Sequence, residues 1–164
     1  MMRIDLAPLY EDQAGLDARI HQEHQVDYPV TRRKRLLALI VELGELANET
    51  RTFKFWSRKG PSAKAVILDE YADGLHFLLS LGIDLKNDKK VMTLRQSKLP
   101  LTEQFLKVYA RSTDLAAHYD LKHYLAALQS FLNLIPALGV TTTEVIDAYH
   151  AKLAVNYQRQ NTLY

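Results

Sequence analysis

The 164-residue chain is 48% hydrophobic, has no cysteine, and sets 21 Lys and Arg against 19 Asp and Glu for a net charge of +2. Those figures fit one globular domain over residues 1–164 and exclude a disulfide framework, a thiolate zinc site and a thiol nucleophile. The charge is too balanced for a surface that coats a nucleic-acid polymer.

The N-terminal MMRIDLAPLYEDQAGLD lacks the apolar run of a secretory signal, and no stretch is long enough to span a bilayer. A soluble, cytoplasmic protein with no membrane partner is expected. Six Gly and five Pro punctuate the chain, and between them apolar residues recur every three or four positions, which predicts an all-α protein. The first helix should cover roughly Leu6 to Gln25, ahead of Pro29. Thr31 is the expected N-cap of a second helix running to about Thr50, with Leu36, Leu39, Ile40, Leu43 and Ala47 as its buried stripe. An irregular connector, RTFKFWSRKGP, leads to a third helix that opens at Ser62, ends near Gly82 and packs antiparallel to the second. Asp84 to Pro100 reads as a solvated linker with at most one helical turn. After it, Thr102 begins a capping segment, Asp120 caps a fifth helix, and Thr141 with Glu144 forms a capping box for the last. The sum is an antiparallel bundle of about six helices.

Two acidic pairs stand out: Glu42 with Glu45 in ALIVELGELANE, and Glu70 with Asp73 in ILDEYADGLHF. At a spacing of i, i+3 each pair projects two carboxylates from one helical face. No Lys or Arg follows either pair at i+4, and Glu49 four residues after Glu45 adds repulsion instead. A solvated acidic face is the plain alternative for one such pair. Two pairs on adjacent helices are different, because like charges about 5 Å apart at an effective dielectric near 20 repel by roughly 3 kcal/mol. Something cationic should sit between them. Magnesium fits, being held by a few carboxylates together with substrate phosphates. Near the C-terminus Lys152, Asn156 and Arg159 fall at i, i+4 and i+7 with Gln160 beside them, a stripe that can bind phosphate or simply complement the helix dipole.

The order ELGELANETRTFKFW, then EYADGLHFLLSLGI, then KLAVNYQRQ resembles the dimeric all-α dUTP diphosphatases, within the wider MazG-like group of nucleotide pyrophosphohydrolases. The resemblance implies magnesium-dependent hydrolysis of dUTP, and of dUDP, to dUMP, with the metal on Glu42, Glu45, Glu70 and Asp73. One of Glu42 and Glu45 would activate water for attack on the α-phosphorus. Lys152 and Arg159 would grip phosphates, with Asn156 on phosphate or sugar. His76 and Phe77 become pocket residues, Phe77 beneath the sugar; from the pattern alone, Phe77 reads first as core and His76 as a satisfied, partly buried histidine. Gln13 matches the position that reads the uracil edge. Lys54 and Trp56, in the connector, could close over phosphate or base, and Trp56 could equally be a packing residue. The family implies a homodimer whose sites are completed by the partner. Leu153 after the terminal Lys, and Leu163 ahead of Tyr164, depart from the pattern of some relatives. A broader-specificity MazG-like pyrophosphohydrolase, and a non-enzymatic module whose acidic stripes bind a basic partner, are the alternatives.

Overall fold

The computed structural model describes residues 1–162. Its elements are β1 (Arg3–Asp5), α1 (Ala7–His24), α2 (Tyr28–Thr50), α3 (Lys64–Asp84), β2 (Val91–Thr93), α4 (Leu101–Ala117), α5 (Leu121–Leu132), α6 (Leu134–Ala137) and α7 (Thr142–Asn161). Six helices of 12 residues or more and the four-residue α6 make the fold all-α, apart from the antiparallel pair β1–β2. Leu163 and Tyr164, one of the departures noted in the sequence, lie outside the described residues.

Several helix starts differ from the sequence expectation. The N-cap of α2 is Asp27, whose Oδ1 accepts from the Val30 amide at 3.0 Å, not Thr31. Pro29 sits in the first turn, where a missing N–H costs nothing, so it opens the helix rather than preceding it. Ile40 is only partly buried, and Leu46 takes its place in the inward stripe with Leu36, Leu39 and Leu43. Ser62 does not cap α3; its hydroxyl donates to Glu49 at the end of α2. Thr102 does not cap α4 either, since its hydroxyl pairs with that of Thr52 at 2.9 Å across the connector. The linker after α3 contains β2, which pairs Val91–Thr93 with Asp5–Arg3. Asp120 caps α5, and the Thr141–Glu144 box opens α7, as expected.

At the centre lies α3, with α1, α2, α5 and α7 around it. The α2–α3 pair is antiparallel, because Arg35 near the start of α2 bonds Asp84 at the end of α3. α7 also runs against α3, with Lys152 beside Asp69 and His76 stacked on Tyr149. α1 lies parallel to α7: Tyr149 reaches the Leu9 carbonyl and Arg19 reaches Asn161. Two glycines let α5 approach α3. A Cβ on Gly74 would meet the Phe131 ring at 3.0 Å, and one on Gly82 would meet the Tyr124 hydroxyl at 2.2 Å. That hydroxyl lies 2.5 Å from the hydroxyl of Tyr10, tying α1, α3 and α5 together in the core. No single helix among the described residues is long and apolar enough to cross a membrane.

Candidate active site

Carboxylates from α2 and α3 converge where the two helices cross. Oxygen atoms of Glu42, Glu45 and Glu70 all lie within 4.8 Å of one another. The geometry follows from the i, i+3 spacing and from Gly74, which brings the α3 backbone close to the Cβ of Glu42. Glu42 Oε2 is buried and lacks a hydrogen-bond partner. Burial, followed by the fields of Asp73, Glu45 and Glu70, pushes the Glu42 carboxyl up to about 8. Burial with the neighbouring Glu45, Asp73 and Asp69 likewise raises Glu70 to about 7. Three acids so close, one with an orphaned oxygen, need a proton or a metal ion to settle their charge.

Asp73 stands apart from this trio. Its Oδ2 is 3.0 Å from Lys152 Nζ, whose other partner is Asp69, an acid that the sequence reading passed over. Burial raises the Asp73 carboxyl, and the bond from Lys152 opposes the rise without cancelling it.

Beside the carboxylates opens a cleft of about 330 Å³ lined by Gln13, Glu42, Asp73, His76, Phe77, Asn156 and Arg159, residues from α1, α2, α3 and α7. These residues, scattered from 13 to 159, were singled out in the sequence and share one wall. Glu45 and Glu70 face an adjoining groove with Asn48 and Glu49. Lys152 is buried behind Asp73. Lys54 and Trp56 line neither space; Trp56 is 65% exposed in a connector where it meets Phe53 and Phe55 edge to face.

The floor of the cleft is a buried polar network. His76 stacks on Tyr149, its Nδ1 is 2.6 Å from Gln13 Oε1, and burial pulls the imidazole down to about 4. Gln13 Nε2 donates to Asp17 at 2.9 Å. Asp17 also accepts from the hydroxyls of Tyr28 and Ser80, and Arg35 continues the chain to Asp84. Asp17, Arg35 and Ser80 were not foreseen, although all three line the cleft. Asp17 lies one turn after Gln13, and Arg35 falls on the inward face of α2 beside Leu36 and Leu39. Each was a signal of a charge facing inward.

A scan against protein-family models identifies dUTPase over residues 5–164. The chain belongs to the dUTPase family. Coverage of almost every residue brings dUTP diphosphatase activity, and with it a nucleotide substrate, to this chain. A search of curated proteins found no match. Set against dUTP hydrolysis, the acidic trio and the cleft beside it supply the two things the chemistry needs: a place able to hold a divalent metal, and a partly apolar recess for a nucleoside. The departure at Leu153 is only half-buried on α7 and does not line the cleft.

Proposed function

We propose that this dUTPase hydrolyses dUTP, and dUDP, to dUMP with magnesium held by Glu42, Glu45, Glu70 and Asp73. The observation that carries the reading is the clustering of the first three within 4.8 Å together with the unpartnered, buried Glu42 Oε2. An oxygen-only donor set of this size suits a hard divalent cation, and Asp73 completes it once Lys152 turns away. A metal bound there would neutralise phosphate charge and acidify a bound water.

The chain's own residues do the rest. Within the first acidic pair, the carboxylate that keeps an oxygen free of the metal would accept the proton of the attacking water. The water oxygen bonds to the α-phosphorus, the bond to the bridging oxygen breaks, and pyrophosphate leaves from dUTP. Lys152, Asn156 and Arg159 on α7 meet the phosphates, Phe77 supports the sugar, and Gln13 with His76 faces the base. Lys54 and Trp56 lie away from the cleft in the structure of one chain, so their contribution requires movement of the connector or delivery to a second copy.

A homodimer is supported by exposed apolar residues on the outer faces of α2 and α4. Leu37 and Val41 are 63% and 48% exposed and Leu106 is 57% exposed. Val41 borders the groove that holds Glu45 and Glu70, so a partner seated there would cover the open side of the metal site. A cytoplasmic location is the setting in which such an enzyme meets its nucleotide.

The deciding experiment is turnover of dUTP, dUDP, dCTP, dTTP and UTP with magnesium, with Glu45→Gln alongside. dUTP hydrolysis to pyrophosphate that falls by about 10³-fold in the variant is the expected result. Comparable rates on all the triphosphates would favour the broader pyrophosphohydrolase reading, and turnover unaffected by the substitution would remove the acidic trio from the chemistry.

A further inference from the structure

The hydrogen bonds around Gln13 leave its amide one orientation. Oε1 faces His76 Nδ1 at 2.6 Å and accepts from the Tyr149 hydroxyl at 3.1 Å, a proton shared with the Leu9 carbonyl. Nε2 donates to Asp17 Oδ1 at 2.9 Å. A carbonyl oxygen has two lone pairs and an amide nitrogen two N–H groups, so one N–H is all that this side chain has left to offer. Turning the amide over would set its oxygen against the Asp17 carboxylate, which can only accept. Burial keeps the imidazole neutral near pH 7, and its single proton faces two carbonyl acceptors, Gln13 Oε1 at 2.6 Å from Nδ1 and the Tyr149 carbonyl at 3.4 Å from Nε2, of which the Gln13 contact is the shorter.

Asp17 carries the complementary remainder. Its Oδ2 accepts from the Tyr28 hydroxyl at 2.9 Å and from Ser80 at 2.8 Å, which fills it, whereas Oδ1 accepts only from Gln13. Gln13 is 3% exposed and Asp17 6%, and both line the cleft. A spare donor and a spare acceptor therefore stand side by side on the cleft wall.

We propose that Asp17 and Gln13 form a donor–acceptor pair that selects a 4-oxo-pyrimidine, with Asp17 both fixing the Gln13 amide and accepting the base N3–H. Uracil presents a carbonyl beside an N–H and satisfies both members. Cytosine presents an amino group beside an unprotonated nitrogen, which sets donor against donor and lone pair against carboxylate. The proposal rests on the deoxyuridine-nucleotide reading above and goes beyond it by naming Asp17, which sequence reasoning did not single out, as the residue that sets selectivity.

Steady-state kinetics of the full chain with magnesium, on dUTP, dCTP and N3-methyl-dUTP, test it. Wild-type protein that fails to hydrolyse dUTP refutes the proposed function itself. A wild type selective for dUTP should use the N3-methyl analogue at least about 100-fold less well, a conservative figure for a site built around a hydrogen bond that the analogue lacks. Equal use of the two overturns the Asp17 pairing while leaving dUTP hydrolysis intact. In Asp17→Asn the new amide can donate as well as accept, Gln13 is free to turn, and the dUTP-to-dCTP ratio of kcat/KM should fall by about 100-fold, chiefly through the KM for dUTP. A variant that keeps its helical circular dichroism and the wild-type ratio overturns the proposal; should the variant not fold, the N3-methyl comparison on wild type decides.

Discussion

Lys152 Nζ lies 3.0 Å from Asp73 Oδ2 and 2.9 Å from Asp69 Oδ1, with 8% of the lysine side chain exposed. Burial works against its charge, but the two carboxylates outweigh burial and hold its pKa up. In the metal site proposed above, the ammonium would compete with the ion for Asp73 Oδ2. On the same reading, release from Asp73 would free Lys152 to meet a phosphate. Lys152→Met should bind magnesium roughly tenfold more tightly by calorimetry while kcat/KM for dUTP drops about 100-fold. Unchanged metal affinity would show that the two do not compete.

The acidic trio makes the metal-free protein sensitive to pH in an unusual direction. Glu42 and Glu70 sit at about 8 and about 7 in the folded chain against 4.5 for a free glutamate. Between those limits the folded state holds more protons than the unfolded one, so stability is greatest at low pH and is lost as pH rises from about 4.5 to about 8. The melting temperature without metal should fall by a few degrees from pH 5 to pH 8, and saturating magnesium should flatten the slope. A metal-free melting temperature that climbs over the same interval would contradict the raised carboxyls.

Asp84 behaves in the opposite sense. Burial alone would raise its carboxyl, but bonds from Arg32 at 3.0 Å, the Tyr119 hydroxyl at 2.7 Å and Arg35 at 3.0 Å outweigh it and pull the group down to about 2. The stability this contributes is present above the ordinary value of 3.8 and is lost as pH falls through about 2. The Asp84 side chain is 5% exposed and that of Arg35 10%, so Asp84→Ala strands a buried guanidinium. Urea denaturation should register a loss of about 3 kcal/mol; less than about 1 kcal/mol would mean that water reaches Arg35 freely.

Gly82→Ala should be the most damaging single methyl in the protein. The added carbon would lie 2.2 Å from the Tyr124 hydroxyl and 2.9 Å from that of Tyr10, both on buried rings with little room to withdraw. A loss of about 3 kcal/mol is expected, which corresponds to roughly 6–10 °C in melting temperature for a chain of this length. Thermal unfolding monitored by circular dichroism measures it directly.

The clustering of Glu42, Glu45 and Glu70 is legible in the sequence because helical spacing converts residue numbers into a shared face, whereas the pairing of Asp73 with Lys152 comes from another helix and is not. The helix starts are less legible. Asp27 and Thr31 are both competent caps, and only the tolerance of a first turn for Pro29 decides between them. The β1–β2 pair leaves no periodic trace, since three residues per strand are too few to alternate. Asp17, Arg35 and Asp69 escape for a different reason: each is an ordinary charge whose importance comes from partners on another helix. Lys54 and Trp56 illustrate the reverse, with a suggestive composition in a connector that keeps clear of the cleft.

The pairing of Arg3 with Thr93 also orders events during folding. A ribbon whose two strands are separated by three helices cannot close until the intervening chain has been made, and contacts of such long sequence separation slow the search for the native state. The anchoring of α1 at its start by this ribbon is thus a late step, as is the arrival of α7, the other wall of the cleft. During synthesis α2 and α3 are complete before α7, so their acids can meet before the wall that carries Asn156 and Arg159 has been made.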